Sequence, residues 1–390
     1  MPVAPDPAAV EAAFHENFAS RGELGAGCSV WRNGRELVSL AGGWRDTARE
    51  RPWSDGTRCL WWSATKTPAA ATVLLVLQRA GVAAESPVRA YWPQFAANGK
   101  DRVSALDILS HRAGLAGIPE PGLDPFDHPR VARALAAMTP LWPPRSAHGY
   151  HARTYGYLVD EIVRRLSGES LGAQWARLIA GPAGIDFHIG LPAELADSVA
   201  ESVAPARHEP PAGERRFYKA LATPDSLAAL AFRSPGGDLR ARVMNSPRAR
   251  SFGFPALGGI GSASGMAKFH ALLAGDGRLD GRRILPSAIV RQLATPLVSG
   301  DDLVLGLPTR FGAGAMLDPL DGNGRKLRAL FGPSPRAFGH PGAGGTLAFA
   351  DPDNQLAFAY VMNQMTAGIL PDARARTLTA AVYSAPGAAD

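Results

Sequence analysis

The sequence predicts an α+β fold in which an antiparallel sheet, built from both ends of the chain, is interrupted by a mostly helical middle. Strand signals occur early, around the hairpin turn Asn33-Gly34, and return between 303 and 363. The intervening stretch shows helical periodicity broken by proline and glycine loops. We therefore expect residues 1–81 and 251–390 to form an α/β domain with flanking terminal helices. Residues 82–250 would form an inserted helical domain, with an active site in the cleft between the two.

The beginning of the chain alternates helix and strand signals. Apolar side chains at i, i+4 and i+8 predict an amphipathic helix over 7–21. Strands are predicted at 25–31 and 36–41, on either side of the Asn-Gly turn. The apolar run at 69–77 indicates a buried helix, which Gly81 ends.

Helical periodicity dominates the middle, and strand signals dominate the last third. Predicted helices lie at 103–110, 131–139, 156–166, 171–180, 266–274 and 373–383, and a loop is predicted at 204–216. Predicted strands lie at 303–307, 310–316, 337–340, 345–351 and 356–363. Because these strands share the C-terminal third, we expect them to pair with the N-terminal hairpin in one sheet.

Composition excludes several classes of function. The net charge is +6, from 41 basic and 35 acidic residues, without the clustered basic stripe typical of nucleic-acid binding. The two cysteines, Cys28 and Cys59, form no metal-ligand spacing with each other or with histidine, so no metal and no cofactor are predicted. No stretch of about 18 apolar residues is present to span a membrane. The N-terminus lacks the pattern of a signal peptide, which predicts a cytoplasmic protein.

A candidate nucleophile lies at the start of the helix that follows the hairpin. Ser63 precedes Lys66 by three residues, so at helical spacing both side chains lie on one face. A hydroxyl needs a neighbouring base to act as a nucleophile at neutral pH, and a lysine can be that base only when it is kept neutral. A helix-start serine beside a solvated lysine would show the same pair, so the motif needs partners elsewhere in the chain.

Two further segments offer such partners. Tyr150 lies in a loop just before a predicted helix, and its phenol could relay a proton to a leaving group. The glycine-rich segment 339–345 contains His340 and looks like the edge of a sheet, where free N–H groups could stabilise an oxyanion. The first segment alone could be a loop whose tyrosine merely packs against the core. The second alone could be a tight turn that contains a core histidine.

Together the three segments resemble the serine β-lactamase and penicillin-binding-protein superfamily. Ser63-x-x-Lys66, Tyr150-x-Ala152 and His340-Pro341-Gly342 stand in the order of its motifs. The similarity is strongest to class C β-lactamase-like esterases, often called family VIII carboxylesterases. Supporting stretches at 109–115, 150–165 and 344–363 extend the resemblance over nearly the whole chain.

The resemblance implies a role for each motif residue. Ser63 would be acylated, Lys66 and Tyr150 would share the proton transfer, and the backbone N–H groups of Ser63 and Ala343 would form the oxyanion hole. The substrate-binding positions would be His340, Gly342 and Ala152. Which of Lys66 and Tyr150 is the general base stays open at this stage.

Two departures from the superfamily pattern favour esters over β-lactams. The β-lactamase pattern has asparagine where this chain has Ala152, and lysine where it has His340. Both missing groups help to hold an acylamino β-lactam and its carboxylate. We therefore expect a hydrolase of small carboxylic esters that acts through an acyl-enzyme.

Several alternatives remain at this stage. Within the superfamily they are a β-lactamase, an amidase or D-aminopeptidase, and an acyltransferase; outside catalysis, the fold also serves as a binding or sensor domain. An α/β-hydrolase would need Gly-x-Ser-x-Gly, but the nearest string, at 261–265, has alanine at its centre. The oligomeric state cannot be predicted from these patterns.

Overall fold

An eight-stranded antiparallel sheet forms the centre of the protein, in a computed structural model that describes residues 5–205, 211–236 and 239–384. The strands, in chain order, are β1 (Gly25–Arg32), β2 (Arg35–Gly43), β3 (Cys59–Leu60), β4 (Phe187–Ile189), β5 (Gly259–Gly261), β6 (Arg278–Leu279), β7 (Arg282–Arg283), β8 (Val298–Asp301), β9 (Pro308–Phe311), β10 (Met316–Leu317), β11 (Phe338–Pro341), β12 (Leu347–Asp351) and β13 (Leu356–Met362). The order across the main sheet is β2-β1-β13-β12-β11-β10-β9-β8. Strands from the two chain ends therefore meet where β1 pairs with β13, as the sequence predicts.

Helices cover both faces of this sheet and fill the middle of the chain. They are α1 (Pro7–Ser20), α2 (Lys66–Arg79), α3 (Ala105–Leu109), α4 (His128–Ala137), α5 (Thr154–Ser167), α6 (Leu171–Trp175), α7 (Gly181–Ala183), α8 (Arg215–Ala222), α9 (Leu227–Arg233), α10 (Ala241–Met244), α11 (Pro247–Phe252), α12 (Ala263–Ala274), α13 (Ser287–Ala294) and α14 (Ala373–Val382). The predicted helices are present close to their expected ends, and the α+β class is confirmed. No helix in the described ranges is long and apolar enough to cross a membrane.

The interior strand β13 is apolar along its whole length because helices cover both faces of the sheet. Phe358 and Tyr360 belong to the apolar core that contains side chains of α1 and α14. Ala359 and Val361, which point the opposite way, belong to the core that contains α12. A strand buried on both faces needs no polar alternation, and this accounts for the continuous run at 356–362.

The N-terminal hairpin has the predicted geometry. Asn33 and Gly34 have φ angles of 49° and 75°, the left-handed pair that a type I′ turn requires. This turn joins β1 and β2 in antiparallel register. The hairpin sequence thus sets the register of one edge of the main sheet.

Two predicted strands in the last third are wrong. Residues 303–307 form a turn between β8 and β9, because the Asp302 carboxylate accepts hydrogen bonds from Val304 N and Leu305 N and so competes with strand pairing. The predicted strand 310–316 is split by a turn into β9 and β10. The glycine-rich segment before α12 contains β5, which pairs with β3 and β4 in a small separate sheet.

The middle of the chain also departs from one prediction. Residues 206–210 of the predicted loop at 204–216 lie outside the described residues, and α8 already begins at Arg215. Between residues 82 and 250 the described chain is mainly helical, with β4 as its strand. The domain division into 1–81 with 251–390 and 82–250 stays a prediction.

Candidate active site

Ser63 lies in the 3₁₀ turn Trp62–Thr65, which leads directly into α2. The turn is anchored to β5, because Trp61 N donates to Gly259 O at 2.9 Å and Gly259 N donates to Thr65 Oγ1 at 2.9 Å. A side chain at position 259 would place its Cβ 2.7 Å from Thr65 Oγ1, so only glycine permits this approach. Ser63 itself is partly exposed. The hydroxyl therefore projects from a rigidly held turn.

Lys66 is fully buried one turn further along the helix. Its Nζ donates to Ala256 O at 2.9 Å and to Ala152 O at 3.1 Å, and it lies 3.4 Å from Ser63 Oγ. Burial lowers the pKa of Lys66 well below its usual value. The amine thus sits between two carbonyl oxygens and the serine hydroxyl, in surroundings that favour its neutral form.

Ala256 is a site residue that the sequence analysis misses. Its contribution is a main-chain carbonyl, which every residue possesses, so no residue type could have signalled it. The carbonyl of Ala152, a position the resemblance assigns to substrate binding, is likewise directed at Lys66.

Tyr150 packs over the amine. Lys66 Nζ lies 4.6 Å from the centre of its ring, and the residue is 5% exposed. The phenol oxygen has no hydrogen-bond partner in the described part of the chain. Burial raises the pKa of the Tyr150 phenol, and a weak interaction with the Ser63 side chain, which lacks the geometry of a full hydrogen bond, partly offsets that rise. The phenol is therefore protonated at neutral pH and is available to a group outside the protein.

His340 lies on β11 with its ring 5.9 Å from that of Tyr150. Its Nδ1 lies 2.7 Å from Pro341 O, and because a carbonyl only accepts, Nδ1 carries the hydrogen. The other nitrogen, Nε2, is a buried acceptor without a partner among the described residues. Burial lowers the pKa of His340 to about 3. His340 therefore presents a neutral acceptor at the site.

The chain after β11 passes close to the segment that precedes Ser63. A Cβ at Gly342 would lie 2.4 Å from Trp61 O, so glycine is required for this contact. Thr346 Oγ1 donates to the same Trp61 oxygen at 3.3 Å. Ala343 follows at the start of the 3₁₀ turn Ala343–Gly345. The predicted oxyanion segment thus packs beside the turn that carries Ser63.

Comparisons with known proteins show the family to which the chain belongs. Residues 10–381 match the model of the Beta-lactamase family. Esterase/beta-lactamase LipL of Mycobacterium tuberculosis (strain ATCC 25618 / H37Rv) is 30% identical over 373 residues, which cover 92% of this chain and 81% of LipL.

Two solved structures are similar over almost their whole length. A family VIII carboxylesterase shares 34% identity at a TM-score of 0.85, and 98% of each chain is covered. A penicillin-binding protein homologue from Caulobacter crescentus shares 36% identity at a TM-score of 0.86, again over 98% of each chain. With the family match spanning nearly the entire sequence, this chain belongs to the Beta-lactamase family.

Proposed function

We propose that this protein is a serine carboxylesterase that hydrolyses small esters through an acyl-Ser63 intermediate. The observation that carries the proposal is the position of Lys66 Nζ, fully buried between two carbonyl oxygens and Ser63 Oγ. Membership of the family supports a serine hydrolase, and the names of LipL and of the family VIII carboxylesterase support an ester substrate.

Lys66 is assigned the role of general base in acylation. A neutral amine has two hydrogens and one lone pair, whereas a carbonyl oxygen can only accept. The two hydrogens therefore go to Ala152 O and Ala256 O, which leaves the lone pair for the Ser63 hydroxyl. Ser63 Oγ then attacks the ester carbonyl carbon as Lys66 takes up its proton.

Tyr150 is assigned the role of proton donor to the leaving alcohol. Its raised pKa keeps the phenol protonated, so the phenol can give its hydrogen to the ester oxygen as the carbon–oxygen bond breaks. Lys66, whose Nζ lies 4.6 Å from the ring centre, carries the proton taken from Ser63. We assign to it the return of a proton to the phenol. Water then attacks the acyl carbon and gives a proton to Tyr150 as Tyr150 passes its own proton to Lys66. Lys66 returns that proton to Ser63 Oγ as the acyl–oxygen bond breaks and the carboxylic acid leaves.

The backbone N–H groups of Ser63 and Ala343 are assigned to the oxyanion hole. The close contact of Gly342 with Trp61 supports this pairing, because it brings the two segments side by side. Donors aimed at a developing oxyanion typically contribute about 10²–10³ in rate each.

His340 supports esters over β-lactams as substrates. A neutral imidazole acceptor lies where the β-lactamase pattern has a lysine cation. It offers no charge to a β-lactam carboxylate, whereas its free Nε2 can accept a hydrogen bond from a neutral group or from water. The cytoplasmic location, like the identity of the ester, stays a prediction.

The test uses p-nitrophenyl esters of graded acyl length, with the chromogenic cephalosporin nitrocefin as the competing substrate. S63A should lose ester turnover, and S20A, which changes an exposed serine on α1, should keep it. A fluorophosphonate should add one adduct, on the peptide that contains Ser63. Full turnover by S63A, or labelling of another peptide, would disprove the proposed nucleophile. Nitrocefin turnover faster than any ester would assign the site to β-lactams instead.

A further inference from the structure

The loop that carries Tyr150 is held by a set of hydrogen bonds that none of the three motifs contains. Three consecutive backbone N–H groups, those of residues 149, 150 and 151, all donate to side chains or carbonyls of distant segments. Gly149 N donates to His111 O at 3.1 Å, and His151 N donates to His111 Nδ1 at 3.2 Å. Between them, Tyr150 N donates to Asp302 Oδ1 at 3.0 Å.

Asp302 is a buried carboxylate whose partners are almost all N–H groups. Its Oδ1 also accepts from Val304 N and Leu305 N, both at 2.9 Å, and Thr309 Oγ1 lies 3.3 Å from Oδ2. No basic side chain in the described ranges forms an ion pair with it. Burial raises the pKa of Asp302 to about 6, and the backbone hydrogen bonds oppose that rise. The two carboxylate oxygens thus accept hydrogen bonds from all of these donors.

The Tyr150 loop and the turn that follows Asp302 are joined by two further contacts. Leu303 N donates to His148 O at 3.0 Å, and His148 Nε2 lies 2.8 Å from Thr309 Oγ1. The turn between β8 and β9 therefore runs along the Tyr150 loop and contacts it at several successive residues. This turn is the segment whose sequence resembles a strand, and Asp302 is the residue that bends it.

His111 holds the loop from the other side. Its backbone adopts the left-handed conformation, φ 63°, which few residues other than glycine adopt, although histidine, asparagine and aspartate do so more often than the rest. In this conformation, both its carbonyl oxygen and its ring nitrogen Nδ1 accept hydrogen bonds from the Tyr150 loop. The ring also packs 4.9 Å from Tyr150 and 4.6 Å from Phe311.

The phenol oxygen of Tyr150 has no partner of its own within the described chain. The direction of the phenol is therefore set by the ring contacts and by the backbone that carries the ring. We propose that Asp302 and His111 are positioning residues, which together hold Tyr150 in register with Ser63 and Lys66 for proton transfer. Misplacement of a reacting group by about 1 Å can lower a rate about 10²-fold, so loosening this support should slow the chemical step.

The inference rests on the proposed function, in which Tyr150 donates a proton. The experiment measures kcat and KM for an alkyl ester, with kcat expressed per active site titrated by the fluorophosphonate. D302A should lower kcat about 10- to 100-fold with little change in KM. D302N keeps an oxygen that accepts from Tyr150 N, and should retain most of the activity.

A double-mutant cycle separates positioning from a general loss of structure. If Asp302 acts through Tyr150, D302A should have no further effect on kcat in a Y150F background. Multiplicative losses in the double variant, or full kcat per titrated site in D302A, would overturn the proposal.

His111 provides an independent pair of variants that preserves the backbone conformation. Both H111G and H111N tolerate a positive φ, but only asparagine has an acceptor at the position of Nδ1. H111N should therefore exceed H111G in kcat per titrated site. Equal values would overturn the role of the ring nitrogen of His111. This comparison tests that role whether or not D302A folds.

Asp318, which unlike Asp302 also pairs with Lys326, is the control. It is also a buried carboxylate, and it accepts hydrogen bonds from Leu330 N and Phe331 N outside the Tyr150 loop. D318A should lower the melting temperature while leaving kcat per titrated site unchanged. Failure of the proposed function would appear separately, as turnover or labelling that persists in S63A.

Discussion

The Nζ atom of Lys66 lies 3.4 Å from Oγ of Ser63, and its other two hydrogen-bond partners within the described residues are carbonyl oxygens. A side chain in this position can accept a proton from the serine only while it is neutral. Burial supplies that condition, because moving an ammonium out of water favours its deprotonated form. In the proposed mechanism, the reactivity of Ser63 thus depends on the desolvation of Lys66.

Replacement of Lys66 by arginine should abolish ester hydrolysis. Arginine keeps a positive charge at all working pH values and cannot act as a base. We expect kcat/KM for a p-nitrophenyl ester to fall at least about 10³-fold. K66M, which also lacks a base, should be equally inactive, and circular dichroism of both variants checks that they are folded. Substantial turnover by K66R would move the base to another group.

The pH dependence of kcat/KM should have an acidic limb that belongs to Lys66. The pKa of Lys66 is lowered by burial, so the amine is neutral above that pKa and takes up a proton below it. Activity should therefore be lost as the pH falls and be retained as it rises through neutrality. Because burial raises the pKa of Tyr150, no loss is expected on the alkaline side until well above pH 9. A fall in kcat/KM as the pH rises from 7 to 9 would contradict this assignment.

Removal of the Tyr150 hydroxyl should affect poor leaving groups most. Y150F should lower kcat for an ethyl ester about 10²- to 10⁴-fold, the usual range for general acid–base catalysis. A p-nitrophenyl ester should lose much less, because its leaving group departs as a stable anion without protonation. The measurement is the ratio of the two losses, and equal losses would argue against proton donation to the leaving group.

Arg374 should be important for the stability of the fold. Its side chain is 2% exposed and lies 2.9 Å from the fully buried carboxylate of Glu23, and it also donates to Gly344 O at 3.3 Å. R374A leaves that carboxylate unpaired, and should lower the free energy of unfolding by about 3–5 kcal/mol. Urea denaturation tests this, with R376A, an exposed arginine on the same helix, as the control that should change it by less than about 0.5 kcal/mol.

Several elements follow directly from local patterns in the sequence. The Asn33-Gly34 turn and the strands around it are predictable because a type I′ turn requires two residues that tolerate positive φ. The helix after Ser63 is predictable from its apolar run. The turn at 303–307 is not, because its leucines and valine match a strand until the Asp302 carboxylate binds the N–H groups that strand pairing would use.

The sequence by itself determined which residues are candidates for the site, since Ser63, Lys66, Tyr150 and His340 each stand in a short motif of recognisable residue types. Only the tertiary structure decided how those residues are held and ionised. The carbonyls that bind Lys66 come from positions 86 and 190 residues further along the chain, and main-chain atoms leave no mark in a sequence. The lowered pKa of Lys66 is likewise a property of its burial, which exists only once distant segments have packed around the amine.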